Sequence, residues 1–110
     1  MTVIYHLTDT ATWAAAQAAG EYTKSTRERT LAEEGYIHAS LPDQVRGVAA
    51  RYYADVEDLL LLVIETDHLD AEVRLERAGD GVFPHIYGPI PLTAVTQVLE
   101  VPADRSNLPE

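Results

Sequence analysis

The chain has no cysteine. That excludes disulfides, thiolate zinc centres, iron–sulfur clusters and a cysteine nucleophile. It accords with a reducing compartment, and a cytoplasmic location is the expectation. No apolar run approaches the roughly 20 residues that a membrane-spanning helix needs. The longest, Leu59 to Ile64, has the length of a strand, so no membrane partner is expected. No basic segment followed by an apolar stretch opens the chain, and no secretory signal is expected. The six glycines form neither a dinucleotide fingerprint nor a phosphate-cradling loop, and no serine sits in a nucleophile elbow. Basic residues are scarce: eight against 18 acidic ones, a formal net charge of −10. A broad nucleic-acid surface is therefore excluded. The deficit is uneven. Residues 1–54 carry five basic and six acidic side chains, residues 55–110 three and twelve. The near-neutral N-terminal half is where a few donors could hold a small anion.

What is present is one domain. At 110 residues with 46% hydrophobic composition, the chain is long enough for one core and too short for two. Residues 1–101 read as the domain and 102–110 as a frayed tail. Val3 to Thr8 is a strand, with Ile4, His6 and Thr8 on one face. Asp9 caps a helix that Gly20 closes. Glu21 to Thr30 reads as a cationic loop with Lys24, Arg27 and Arg29, followed by a helical turn stopped by Gly35. Tyr36 to Ser40 is a short strand. Ser40, with Asp43 three residues on and Pro42 between, predicts a capped helix running to about Tyr53. Tyr53 itself reads as exposed. Leu59 to Glu65 is a central strand and Glu72 to Arg77 a half-buried one. Ala78 to Val82 is a hairpin loop. Phe83 to Ile90, with two prolines and a glycine, reads as an irregular segment. Leu92 to Val95 is a helical turn, and Thr96 to Val101 is the last strand. Early helices and late strands give an α+β fold with a split, mostly antiparallel sheet and two main helices.

Three of the four histidines sit in related settings: Tyr5-His6-Leu7-Thr8, Tyr36-Ile37-His38-Ala39-Ser40 and Pro84-His85-Ile86-Tyr87-Gly88. In a strand, a residue two positions on shares the histidine's face. The pattern predicts one cleft lined by His6, Thr8, His38, Ser40, His85 and Tyr87, with Tyr36 beside it. The alternative for each histidine is a structural bond to a nearby carbonyl. A metal held by His6, His38 and His85 is a further alternative, although the chain lacks the His-x-His or His-x-x-x-His spacing by which one element supplies two ligands. No metal is assigned. Lys24, Arg27 and Arg29 could clamp a phosphate or carboxylate, the alternative being solvated loop charges. Glu76 lies on the polar face of its strand, at the surface or facing the cleft. His68, in an acidic turn, reads as a surface residue.

On these residues the chain resembles a bacterial family catalogued as domain of unknown function 952. The resemblance runs over about residues 3–101. It rests on Ile4-Tyr5-His6-Leu7-Thr8, on Gly35 to Ser40 followed by Gln44, on the Leu60 to Glu65 strand, and on Phe83 to Ile90. More distantly, the order of motifs is similar to that of the ADP-ribosyltransferase fold. Tyr5-His6, a helix ending at Gly20, a strand from Gly35 to Ala39, then Ser40 and Tyr52 follow that pattern. The stacking tyrosine of the second motif would fall at Ile37, flanked by Tyr36 and His38. That resemblance implies an ADP-ribosyltransferase-like split sheet and a nucleotide-like small-molecule ligand, with NAD as a candidate substrate. It implies that His6 holds a ribose. Glu76 or Glu100 would be the candidate for the late carboxylate. If the protein is an enzyme, His38 or His85 would act as general acid or base, and Glu76 would stabilise a forming oxocarbenium ion. The alternatives are a non-catalytic binding module on the same fold and a histidine-ligated metal enzyme. The oligomeric state is left open.

Overall fold

The computed structural model describes residues 2–79 and 81–109. Among the described residues, eight strands and three α-helices follow in the order β1 Val3–Asp9, α1 Thr10–Ala19, β2 Glu21–Tyr22, α2 Leu31–Glu34, β3 Ile37–His38, α3 Val45–Tyr52, β4 Leu59–Glu65, β5 Val73–Ala78, β6 Gly81–Ile86, β7 Ile90–Pro91 and β8 Val95–Glu100. The strands form a β1-β4-β8 sheet, a β2-β7 pair and a β3-β6-β5 sheet. Each of these pairings is antiparallel. The fold is a small α+β domain.

β4 is buried along its whole length because both faces of its sheet are covered. Ile4, Leu62 and Ile64 face one core with Ala16 of α1 and with Ile37, Ile86, Ile90 and Ala94. Leu7, Leu59 and Leu61 face a second core with Val45 and Ala49 of α3, Tyr53, Val101 and Leu108. The continuous apolar run of β4 follows from that double coverage.

Local chemistry sets the boundaries. The Asp9 carboxylate accepts from the Thr12 amide at 2.8 Å, and Gly20, at φ +92°, closes α1 in a conformation that a Cβ disfavours. Thr30 and Glu33 form a capping box around α2, and Gly35 ends it.

Five sequence expectations are corrected. The segment 21–30 is not all loop. Glu21 and Tyr22 pair with Pro91 and Ile90 before the chain turns. Ser40 does not cap α3. Its backbone pairs with Tyr5, and α3 begins at Val45 after a Gln44 whose side chain accepts from the Leu41 amide at 2.9 Å. Phe83 to Ile86 is regular strand in spite of Pro84. The Pro84 carbonyl accepts from the Ala39 amide, so the missing N–H points to the side on which β3 has already ended at His38. Finally, the tail is docked. Leu108 is buried in the second core, and Arg46 donates to the carbonyls of Arg105 and Leu108. The hairpin expected over 78–82 is present, with Asp80 outside the described residues, as is Glu110 of the tail. Tyr53, expected at the surface, is buried, whereas Tyr52 is exposed.

Candidate functional site

The two three-stranded sheets meet where the chain leaves β3. Ile37 and His38 pair with β6, and two residues later Ser40 exchanges backbone bonds with Tyr5 of β1 at 2.9 and 2.7 Å. Strand alternation turns His6 toward this seam, in register with Leu62. Its Nδ1–H donates to the His38 carbonyl at 2.5 Å. Nε2 is then an acceptor and meets the Tyr22 hydroxyl at 2.8 Å, with Thr8 Oγ1 a further 2.9 Å from that hydroxyl. Both ring nitrogens are therefore engaged inside the protein. Burial lowers the His6 pKa to about 4 and raises that of Tyr22. The expectation that His6 lies ready to grip a ribose is corrected: it bonds the seam between the sheets.

His38 and His85 form a separate cluster. They are direct partners across β3 and β6, so their rings share a face. The centroids lie 4.9 Å apart at 80°. Tyr36 stacks on His85 at 4.1 Å. His85 Nδ1–H donates to Glu76 at 2.8 Å, and the Tyr87 hydroxyl donates to the same carboxylate oxygen. These donors, Tyr87 first, hold the Glu76 pKa below its usual value. His38 Nε2–H donates to Glu34 at 3.3 Å, while burial lowers the His38 pKa. Each imidazole thus has its own carboxylate. His85 is buried, and its Nε2 has no partner. The Arg74 guanidinium lies 4.6 Å over the Tyr87 ring.

Beside this cluster runs a groove of about 690 Å³. Its floor is His6 and Leu7 of β1 with His38, Ala39 and Ser40. One wall is the turn Ser25 to Glu28. Another is the face of α3 that presents Gly47, Val48, Arg51 and Tyr52, with Asp43 and Gln44 just before the helix. The β5–β6 hairpin closes the far side with Ala78, Gly79, Gly81 and Phe83. Gln44 Nε2 donates to the Val82 carbonyl at 2.6 Å and ties that hairpin to the start of α3. Arg27 ties the opposite end. It makes a two-pronged bond to Asp55, at 2.8 and 3.2 Å, and donates to the Tyr52 carbonyl at 3.0 Å.

The single imidazole-lined cleft expected from the sequence is thus two places joined by His38. His6, His38 and Ser40 reach the groove; His85, Tyr87, Tyr36 and Glu76 form the neighbouring cluster; Thr8 is sealed behind Tyr22. Arg27, expected to meet phosphate, is already paired, and Arg29 lies near Glu34 at 3.4 Å. Glu100 is exposed on β8, and His68 is exposed as expected. The sequence reading missed Arg51 and Ser25, both on the groove. The positions 44, 48 and 51 on one helical face could have marked Arg51; nothing local marks Ser25. Among the described residues no group of three or more His, Asp or Glu side chains is arranged to hold a metal ion. Among the described residues no helix is long and apolar enough to cross a membrane.

Among solved structures, the chain is similar to protein CC0527 from Caulobacter crescentus. A crystal structure of that protein superposes with a TM-score of 0.82 at 29% identity, covering 99% of this chain and 94% of the other. Its solution structure gives 0.77 at 30% identity, covering 100% and 93%. No curated protein matches the chain. Residues 7–98, from β1 into β8, match a family model, and on that match the chain belongs to the family described as "Protein of unknown function (DUF952)".

Proposed function

We propose that the groove binds a small phosphorylated, ribose-containing molecule of nucleotide type, with NAD and ADP-ribose as the first candidates, and that the domain works as a binding module. The observation that carries this reading is the groove itself. Its volume of about 690 Å³ lies within the roughly 300–1,000 Å³ of ordinary ligand sites. It is lined by hydroxyls, a guanidinium and aromatic rings, the groups that meet phosphate, ribose and base. The order of β1, α1, β3 and Ser40 supports an ADP-ribosyltransferase-like arrangement of the sheet. A binding role is favoured over glycosyl transfer on one ground. Glu76, the carboxylate that transfer would need, does not line the groove and is held by His85 and Tyr87. Transfer of ADP-ribose is the second reading, favoured by an ionised Glu76 one imidazole pair away from the groove floor at His38.

Thermal melting with NAD, ADP-ribose and nicotinamide tests the proposal. A ligand at 100 times its Kd stabilises the fold by about 2.7 kcal/mol. Gly47 gives the control. A Cβ there meets nothing within 4 Å, so Gly47→Phe places a ring in the groove without a clash at its base. The shift should appear in the parent protein and vanish in that variant. No shift with any of the three ligands, or an equal shift in Gly47→Phe, refutes the proposal. Release of nicotinamide from NAD, lost in Glu76→Gln, would instead establish transfer.

A further inference from the structure

We infer that the groove is electrically polarised along its length and selects a ligand with an anionic group at one end and a cationic group at the other. The inference rests on the groove being a ligand site and adds what kind of ligand it takes. The positive end is Arg51. It is exposed on the groove face of α3, and among the described residues it makes no hydrogen bond or ion pair. Arg27 is not an equivalent, because Asp55 already neutralises it. On the wall formed by the turn before Arg27 sits Ser25, fully buried, whose hydroxyl has no partner. Buried hydroxyls are almost always bonded. An orphaned one beneath a cavity wall becomes a ligand's partner once the turn yields to it, and a free guanidinium on the same groove makes an anion the fitting ligand. The negative end is Asp43. It too is exposed and, among the described residues, unpaired, in the turn that Gln44 pins to Leu41 and Val82. Arg51 lies six residues into α3 from Val45, about 9 Å along the helix axis, and Asp43 lies in the turn before that start. The helix dipole alone would account for an acid at the start of α3 and a base at its end. It does not account for the Ser25 hydroxyl, nor for both charges facing one groove. A phosphate at Arg51 and Ser25, with a positively charged ring toward Asp43, uses both ends at once.

Titration calorimetry on the full chain with three probes tests this. Ribose 5-phosphate offers only the anion, nicotinamide riboside only the cation, and nicotinamide mononucleotide both. The mononucleotide should bind about tenfold more tightly than either half, the worth of one charge-assisted contact. Arg51→Gln and Ser25→Ala should weaken the mononucleotide and ribose 5-phosphate and leave the riboside unchanged. Asp43→Asn should weaken the mononucleotide and the riboside and leave ribose 5-phosphate unchanged. Arg51 and Asp43 are exposed and unpaired, so circular dichroism should show both variants folded. A mononucleotide that binds no better than its halves, or binding indifferent to Arg51→Gln and Asp43→Asn yet abolished by Gly47→Phe, overturns the inference and leaves the groove standing. Failure of every probe, NAD included, to bind the parent protein removes the groove reading and this inference with it.

Discussion

Acidification from pH 7 to about 4.5 should cost the protein about 2–3 kcal/mol of folding free energy through His6 alone. The imidazole is buried in the seam between the sheets, and its pKa falls from 6.5 to about 4 because burial penalises the charged ring. A histidine whose folded pKa lies below its unfolded value binds its proton in the unfolded chain first. The stability it supports is therefore complete above pH 6.5 and is lost as pH falls toward about 4. At about 1.4 kcal/mol for each pH unit inside that window, the full loss approaches 3 kcal/mol. A domain with 5–15 kcal/mol in hand would feel it. Urea titrations at several pH values, on the parent and on His6→Gln, isolate the effect. Glutamine offers the His38 carbonyl a donor but does not titrate, so the parent should lose its advantage over the variant as the solution is acidified. A stability difference that stays flat from pH 7 to 4.5 would refute the reasoning, because it would mean that the ring is hydrated or that its two bonds are not those described.

Three further outcomes follow from packing. Tyr22→Phe deletes the hydroxyl between His6 Nε2 and Thr8, and should cost about 1–3 kcal/mol in urea denaturation, since two buried groups lose a partner; a neutral result would mean water replaces it. Leu108→Ala should cost about 2–4 kcal/mol because the side chain is buried against the second core; a cost near zero would restore the frayed tail read from the sequence. Gly47→Ala should raise stability by about 0.5–1 kcal/mol, a few degrees in Tm, because the glycine lies within α3 and a methyl group meets open space.

Elements with local signatures were legible in the sequence. Asp9 and Gly20 bracket α1, Thr30 and Gly35 bracket α2, and the apolar run of β4 announced a strand covered on both sides. Elements made by distant pairing were not. β2 and β7 have two residues each, too few for any periodicity, and exist because Tyr22 meets Ile90. Ser40, Pro42 and Asp43 imitate a helix start, but the Ser40 backbone is taken by Tyr5. Leu108 looks like a tail residue until Leu59 and Leu61 are placed beneath it. The same division holds for the site. Alternation put His6 and Thr8 on one face, and His38 with Ser40, correctly. It could not reveal that His38 lies opposite His85, a register set by residues nearly fifty positions apart. Nor could it show that His6 would find partners for both nitrogens.

Backbone bonding between the two three-stranded sheets is confined, among the described residues, to the reciprocal pair of Tyr5 and Ser40. That single backbone stitch lies beside the His6–His38 bond and the core the two sheets share, and the groove floor lies along it. An occupant touching His6, His38 and Ser40 would bridge both sheets and shield that stitch from water. Hydrogen exchange should report this directly: the amides of Tyr5 and Ser40 should open more slowly with the groove filled, while those at the centre of β4 keep their rate.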